Sequence, residues 1–308
     1  MNNFLILFLF FSFPYLNAQY ANCYFLGIDL GEQYLDAGKI EEALIVFDKI
    51  ENRFSPEDPL FYLKSAKCSF ILNNSEEVCR KLNKSFLYGA TLEDLSTYQL
   101  GGVVDYESAR LNEFYASART HLSSFNFELY DLVSNMYTAD TFVRRHIMHT
   151  NDEFDYTEQV DSINYLVLKN ILELNYGRLP SFREIGQLGV SKLQVVLLHL
   201  GGLENADNFS DLLEILETGL KYRTYRPIDY ALLMDRRTYY RTGAGIYGTI
   251  LLGDGIIPVS DISTLDETRH KIGLYSLQRQ LEKNTDYSYT LPKEYKEQAV
   301  KHLDCIDY

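Results

Sequence analysis

Asp235, Arg236, Tyr247 and Arg269 bring one acid, two permanent cations and a phenol into a short stretch of a 308-residue chain. They lie in Asp229-Tyr-Ala-Leu-Leu-Met-Asp-Arg-Arg237, Ile246-Tyr-Gly-Thr249 and Asp266-Glu-Thr-Arg-His-Lys-Ile-Gly-Leu274. Such groups either pair with one another or meet a ligand. His199 adds a side chain that titrates near neutral pH. One chemistry fits this set: His199 as a general base oriented by Asp235 or Asp140, with Arg236 or Arg269 holding an anionic group of the substrate. That is a hydrolase-like arrangement, and Tyr247, Asp140 and Arg144 would complete its ligand contacts. A structural role is the simpler reading of each residue. His199 closes an apolar stretch just before Gly201-Gly202, where a buried imidazole is usually bonded to the fold itself.

Charge balance makes a further demand. Asp140-x-x-x-Arg144 is an i,i+4 pair on one helix face. The helices carrying these groups are otherwise apolar, so some of the charges must approach the interior. A buried charge without a partner costs several kcal/mol. The expectation is a mutually paired cluster of Asp140, Arg144, Asp235, Arg236 and Arg269, in which the planar arginine fork binds carboxylates.

No other chemical signature is present. GxSxG, HExxH, phosphate-loop and dinucleotide patterns are absent, and Gly243-Ala-Gly245 reads as a turn. His146-x-x-His149 could offer two imidazoles to a metal, but no third ligand follows at suitable spacing, so neither a metal nor a cofactor is expected. The net charge of −14 repels phosphate backbones and anionic lipid, which sets nucleic acid aside as a partner. Lys221, Arg223, Arg226, Arg236, Arg237 and Arg241 form a local basic group, read as a mixed-charge surface in preference to an anion site.

The N-terminus bears on location. Residues 4–16 are an almost unbroken apolar run, followed by Asn-Ala-Gln. The run is short for a bilayer span and reads as the core of a secretory signal cleaved after Ala18, so the protein is expected to be exported. Its N-terminal flank lacks Lys and Arg, and an uncleaved anchor is the alternative. No later segment is long and apolar enough to cross a membrane. Four cysteines, Cys23, Cys68, Cys79 and Cys305, lack a CxxC pair. In an exported protein, Cys68 and Cys79 form the plausible disulfide, with two buried thiols as the alternative.

The elements that must position these groups are helices. Hydrophobic residues at 46 % and charged residues at 23 % describe a globular chain. Leu30, Gly31, Tyr34, Ala43 and Phe47 match the tetratricopeptide consensus, with Gly38 as the turn and Ile40, Ala43, Leu44 and Phe47 as an amphipathic stripe. A weaker copy over about 59–88 uses Tyr62, Ala66, Val78 and Leu82, turning at Asn73-Asn74. The pattern changes near 126. Ile163, Leu166, Val167, Ile171 and Leu174 stripe a helix that Gly177 and Pro180 end. Ser181-x-x-Glu184 opens a short helix and Ser191-x-x-Gln194 another. Phe209, Leu212, Leu213, Leu216 and Leu220 stripe the next. Arg237–Arg241 and Ile246–Leu252, split by Thr-Gly-Ala-Gly, read as a β-hairpin, and Leu274, Leu277 and Leu281 mark a last helix.

The fold class is therefore mainly α: a short tetratricopeptide-like array followed by a compact helical domain with one hairpin. The divisions are 1–18 signal, 19–125 array, 126–283 helical domain and 284–308 polar tail. Across 126–283 the chain resembles an uncharacterised bacterial domain-of-unknown-function family. The match lies in Asp140-x-x-x-Arg144, Asp161-x-x-Asn164, Tyr176-Gly177, Pro180, Gly186, His199, Asp235-Arg236, Tyr247-Gly-Thr249 and Asp266-Glu-x-x-Arg269. The family commonly has Gln where Leu198 and Ile250 stand, and the resemblance implies no reaction. Repeat helices commonly bind proteins and no catalytic motif is complete. The leading expectation is an exported interaction or scaffold module with a protein partner. The hydrolase built on His199 and Asp235 is the alternative.

Overall fold

The computed structural model describes residues 22–100, 113, 115–116, 125–146, 153–201, 206–252, 255–283 and 295. Residues 1–21, Gly101-Gly102, His149, Cys305 and all of 284–308 but Tyr295 lie outside them. The chain is mainly α, as its periodicity predicts. It packs as two compact units, one from Gly27 to Val196, the other joining residues up to Leu26 with those from Leu197 onward. The change of pattern near 126 falls inside the first unit.

The first unit begins within α1 (22–36), at Gly27, and continues into α2 (Ile40–Phe54). A Cβ added at Gly31 would stand 2.6 Å from the Phe47 ring, so these helices touch only because residue 31 is glycine. Ala43 and Phe47 are buried in the same seam. Asp58 caps α3 (Pro59–Ile71) by accepting from Leu60 N–H, and Asn74 caps α4 (Ser75–Leu87) by accepting from Glu77 N–H. The turn between them falls at Asn73-Asn74, as read from sequence. Tyr62, Ala66, Val78 and Leu82 are buried, and the Leu63–Leu82 cluster extends through Phe86 to Leu95 on α5 (Leu92–Thr97). Cys68 and Cys79 are buried free thiols, so the disulfide considered for them does not form.

A charge network ties α4 to its neighbours. Arg80 forks onto Glu51 at 2.6 and 3.0 Å, and Lys84 donates to Glu51 at 2.5 Å. Lys81 is fully buried and donates to Asp48 and to Ser65 Oγ, each at 2.5 Å. Burial opposes ionisation of Glu51, yet the hydrogen bonds from Arg80 and Lys84 and the charges of Lys81 and Arg80 outweigh it, holding the carboxyl at about 2.

Next come α6 (Phe127–His146) and α7 (Glu153–Leu174). Arg144 bridges them, bonding Asp140 at 2.9 Å and Asp161 at 2.6 Å. Asn164 donates to Met136 C=O at 3.4 Å. These bonds turn a different face of α7 inward from the one its apolar residues suggest. Tyr165, Leu168 and Ile171 are buried beside Asp161 and Asn164, while Ile163 and Leu166 are 59 % and 66 % exposed. The polar residues win the interior because α6 offers each of them a partner. α8 (Phe182–Leu200) is two helical segments, as read from sequence, but they meet at a different residue. Its break is at Gly186 (φ 67, ψ 174), not at Ser191, where the helix simply continues.

The second unit contains α9 (Ala206–Tyr222), α10 (Pro227–Thr242), α11 (Leu265–Lys271) and α12 (Leu277–Lys283). The hairpin expected across Arg237–Arg241 is not there, because α10 runs through those residues and ends at Gly243. Tyr239 and Tyr240 favour strands, but a helix already started at Pro227 and seated by Tyr230, Ala231 and Leu233 overrides that preference. Two short strands form further on, β1 (Leu251–Leu252) and β2 (Gly255–Ile256), antiparallel with Leu251 opposite Ile256.

Candidate functional site

The residues that looked chemical meet on one backbone loop. After Gly243 the chain turns through Gly245, Ile246, Tyr247, Gly248 and Thr249 before entering β1. Asp235, just past the middle of α10, points its carboxylate at this turn. Oδ1 accepts from Ile246 N–H and Tyr247 N–H, both at 2.6 Å. Oδ2 accepts from Thr249 N–H at 2.6 Å and Thr249 Oγ at 2.7 Å. Four bonds match the roughly four acceptor positions of a carboxylate. The approach is close: a Cβ on Gly245 would fall 2.9 Å from Asp235 Oδ1.

Arg269 on α11 holds the opposite edge of the loop. Its Nη1 donates to Tyr247 C=O, its Nε to Tyr275 C=O at 2.7 Å and its Nη2 to Gln280 Oε1 at 2.8 Å. Gln280 on α12 in turn reaches the carbonyls of Gly248 and Thr249 at 3.4 and 3.5 Å. Asp266 fixes α11 against α12 by accepting from Leu277 N–H at 2.9 Å, and also accepts from the Tyr295 hydroxyl at 2.7 Å. Asp235 and Arg269 are both fully buried, whereas Ile246 and Tyr275, which they hold, are half-buried.

Electrostatics follow from that burial. Arg269 is pushed down to about 10 by desolvation, which the nearby Tyr275 hydroxyl and the Asp266 and Asp235 carboxylates partly offset. The Tyr247 phenol is raised to about 12 by burial and by the charges of Asp235 and Glu217. It stays protonated at neutral pH and packs edge-on against Tyr230, centroids 6.2 Å apart. The acid is filled by three amides and a hydroxyl, each guanidinium nitrogen of the arginine has an acceptor, and the phenol is neutral. They form a clamp that fixes a loop.

The cluster expected from charge balance is therefore corrected. Asp140 and Arg144 do pair, but with Asp161 inside the first unit. Asp235 takes none of its bonds from an arginine, and Arg269 gives none to a carboxylate. Backbone N–H and C=O groups do what opposite charges were expected to do. Arg236 is exposed on α10 and takes no part in the clamp. His199 is half-buried on the last turn of α8, and none of the four bonds to Asp235 comes from it. Leu198 and Ile250 are half-buried, and Ile250 C=O accepts from Ile257 N–H at 3.0 Å.

Gln280, Thr249 and Asp266 are the members of the clamp that sequence reasoning missed as partners. Thr249 and Asp266 stand in the Tyr247-Gly-Thr249 and Asp266-Glu-x-x-Arg269 motifs, but Gln280 carries no signal beyond being a polar residue in the last helix. The basic group is largely engaged locally. Arg226 pairs with Asp229 at 2.6 Å, Arg223 lies over the Tyr24 ring at 5.1 Å, and Arg237 lies over Phe209 at 3.5 Å while donating to Gly201 C=O. Among the described residues no three of His, Cys, Asp and Glu gather as metal ligands, and no helix is long and apolar enough to cross a membrane. The side chains of His146 and His149 lie outside the described residues. No family model, curated protein or solved structure matches the chain. The tetratricopeptide-like reading and the resemblance over 126–283 rest on the residues that carry them.

Proposed function

We propose that this protein is an exported, non-enzymatic interaction module whose N-terminal helical array docks a protein partner. The observation that carries the reading is the clamp. The acid and arginine that could have done chemistry are buried and occupied by the loop they hold. The hydrolase alternative loses Asp235 as an orienting acid, since its lone pairs already face Ile246, Tyr247 and Thr249.

Two further facts support the reading. Phe70, Ile71 and Leu72 follow one another at the end of α3 and are 37 %, 46 % and 37 % exposed, an apolar spot on the surface of the array. Cys23 is disulfide-bonded, which suits an oxidising compartment and hence export.

The test is co-purification of the tagged full chain from the native cell envelope, with wild type, Ile71→Asp and His199→Ala compared. A protein recovered with wild type and His199→Ala but lost with Ile71→Asp supports the proposal. Loss with His199→Ala alone, or hydrolysis of a generic ester or phosphoester panel abolished by that substitution, overturns it.

A further inference from the structure

The first turn of α1 is seated beside the end of α11. Asn22 donates to Lys271 C=O, Arg223 lies over the Tyr24 ring at 5.1 Å, and Cys23, Tyr24 and Leu26 are buried. Gly273, left-handed at φ 82, lets the two approach: a Cβ there would stand 3.2 Å from both Asn22 Cα and Phe25 Cβ. Residues up to Leu26 and those from Leu197 onward belong to one unit, so Cys23 is fixed within it.

Elimination names the partner of Cys23. The chain has four cysteines, Cys68 and Cys79 are free thiols, and Cys23 is disulfide-bonded. Cys305 alone remains in the chain. Its approach is limited by Tyr295, ten residues before it. The Tyr295 hydroxyl donates to Asp266 Oδ2 at 2.7 Å and accepts from Gln278 N–H at 3.3 Å. Asp266 lies in the first turn of α11 and Gly273 follows its end, seven residues or about 10 Å further along. Ten residues of chain extend to about 35 Å, so Cys305 reaches Cys23 from that anchor with length to spare.

We propose that Cys23 and Cys305 form one intrachain disulfide, which together with Tyr295 straps the carboxyl-terminal segment to the first turn of α1. The second unit is built from both ends of the chain, and this bond joins them covalently. Its formation takes two protons and two electrons from the two thiols and delivers them to the disulfide of an oxidant, which is reduced to two thiols. The pairing is independent of partner docking by the array, and it rests on the exported reading only for the compartment that supplies the oxidant.

Peptide mapping without reductant tests it, on the full chain refolded in a glutathione redox buffer and on protein purified from the native envelope. One linked pair, the Cys23 peptide with the Cys305 peptide, is expected in both. Cys23→Ser, Cys305→Ser and the double variant should each lower Tm by the same amount, roughly 5–10 °C, because each removes the same single bond. Tyr295→Ala should slow pairing in the redox buffer roughly threefold, since the tether to Cys305 then runs from Lys283 at the end of α12. A Cys23 peptide linked to Cys68, to Cys79 or to Cys23 of a second copy, or a refolded chain with four free thiols, overturns the proposal. Tm losses that add in the double variant overturn it equally. A bond present in the refolded chain but absent from the envelope sample supports the pairing and overturns the exported reading instead.

Discussion

Asp235 and Arg269 hold the two polar ends of one residue, Tyr247: the carboxylate accepts its N–H and the guanidinium donates to its C=O. Neither side chain touches the other, yet each depends on the loop position that the other maintains. Two of the most chemical-looking residues of the chain thus secure its fold.

Removing the acid should unfold the second unit. Asp235→Ala strands three amides and a hydroxyl in a dry interior, and Asp235→Asn turns an NH₂ toward N–H donors. Each should lower stability by about 3–5 kcal/mol. Urea melts read by circular dichroism measure this, and a loss under about 1 kcal/mol would show the loop is held by something else. Arg269→Lys should cost about 2–4 kcal/mol, because one ammonium cannot span three acceptors in a fork. A double-mutant cycle should give coupling of about 1 kcal/mol or more through the shared loop.

The seam of α1 and α2 leaves no room. Gly31→Ala puts a methyl into the Phe47 ring and Ala43→Phe inserts a ring at a fully buried position. Both should destabilise by about 1–3 kcal/mol through overpacking. An unchanged melting temperature for Ala43→Phe would refute this packing.

Acid should weaken the packing of α2 against α4 through Glu51. Its carboxyl sits at about 2 in the folded state against an ordinary 4.5, so the folded state binds fewer protons between those values. The stabilisation is whole above about 4.5 and is lost as pH falls toward about 2, roughly 2 kcal/mol in all. Glu51→Gln should flatten that part of the stability–pH curve. A curve of the same slope in this variant would assign the acid sensitivity elsewhere.

Thiol counting examines the cysteines and the location together. Cys23 is disulfide-bonded, whereas Cys68 and Cys79 are free, with the Cys68 thiol raised to about 11 by burial. The native protein should resist maleimide and the denatured protein should take two labels, rising to four after reduction. Intact mass of the same envelope-purified sample should begin at Gln19. Four labels without reductant, or an intact Met1, would speak for a reducing compartment.

Periodicity marked most of the helices, because an amphipathic stripe is a property of neighbours along the chain. Ala43 and Phe47 on α2, Leu212 and Leu216 on α9, and the turns at Gly38, Asn73-Asn74 and Gly177 were all readable in this way. The clamp residues were legible as unusual, since charged side chains recur among apolar ones. Their partners were not, because Asp235 and Arg269 bond to backbone amides and carbonyls, and every residue carries those whatever its type. The tertiary structure also decided which face of α7 turns inward. Ile163 and Leu166 are more apolar than Asp161 and Asn164, but Arg144 and the Met136 carbonyl lie where only the polar pair can meet them. It likewise extended α10 across the strand-prone Arg237–Arg241 segment, because a helix once nucleated gains a hydrogen bond per residue and stops only where Gly243 lets the backbone turn left-handed.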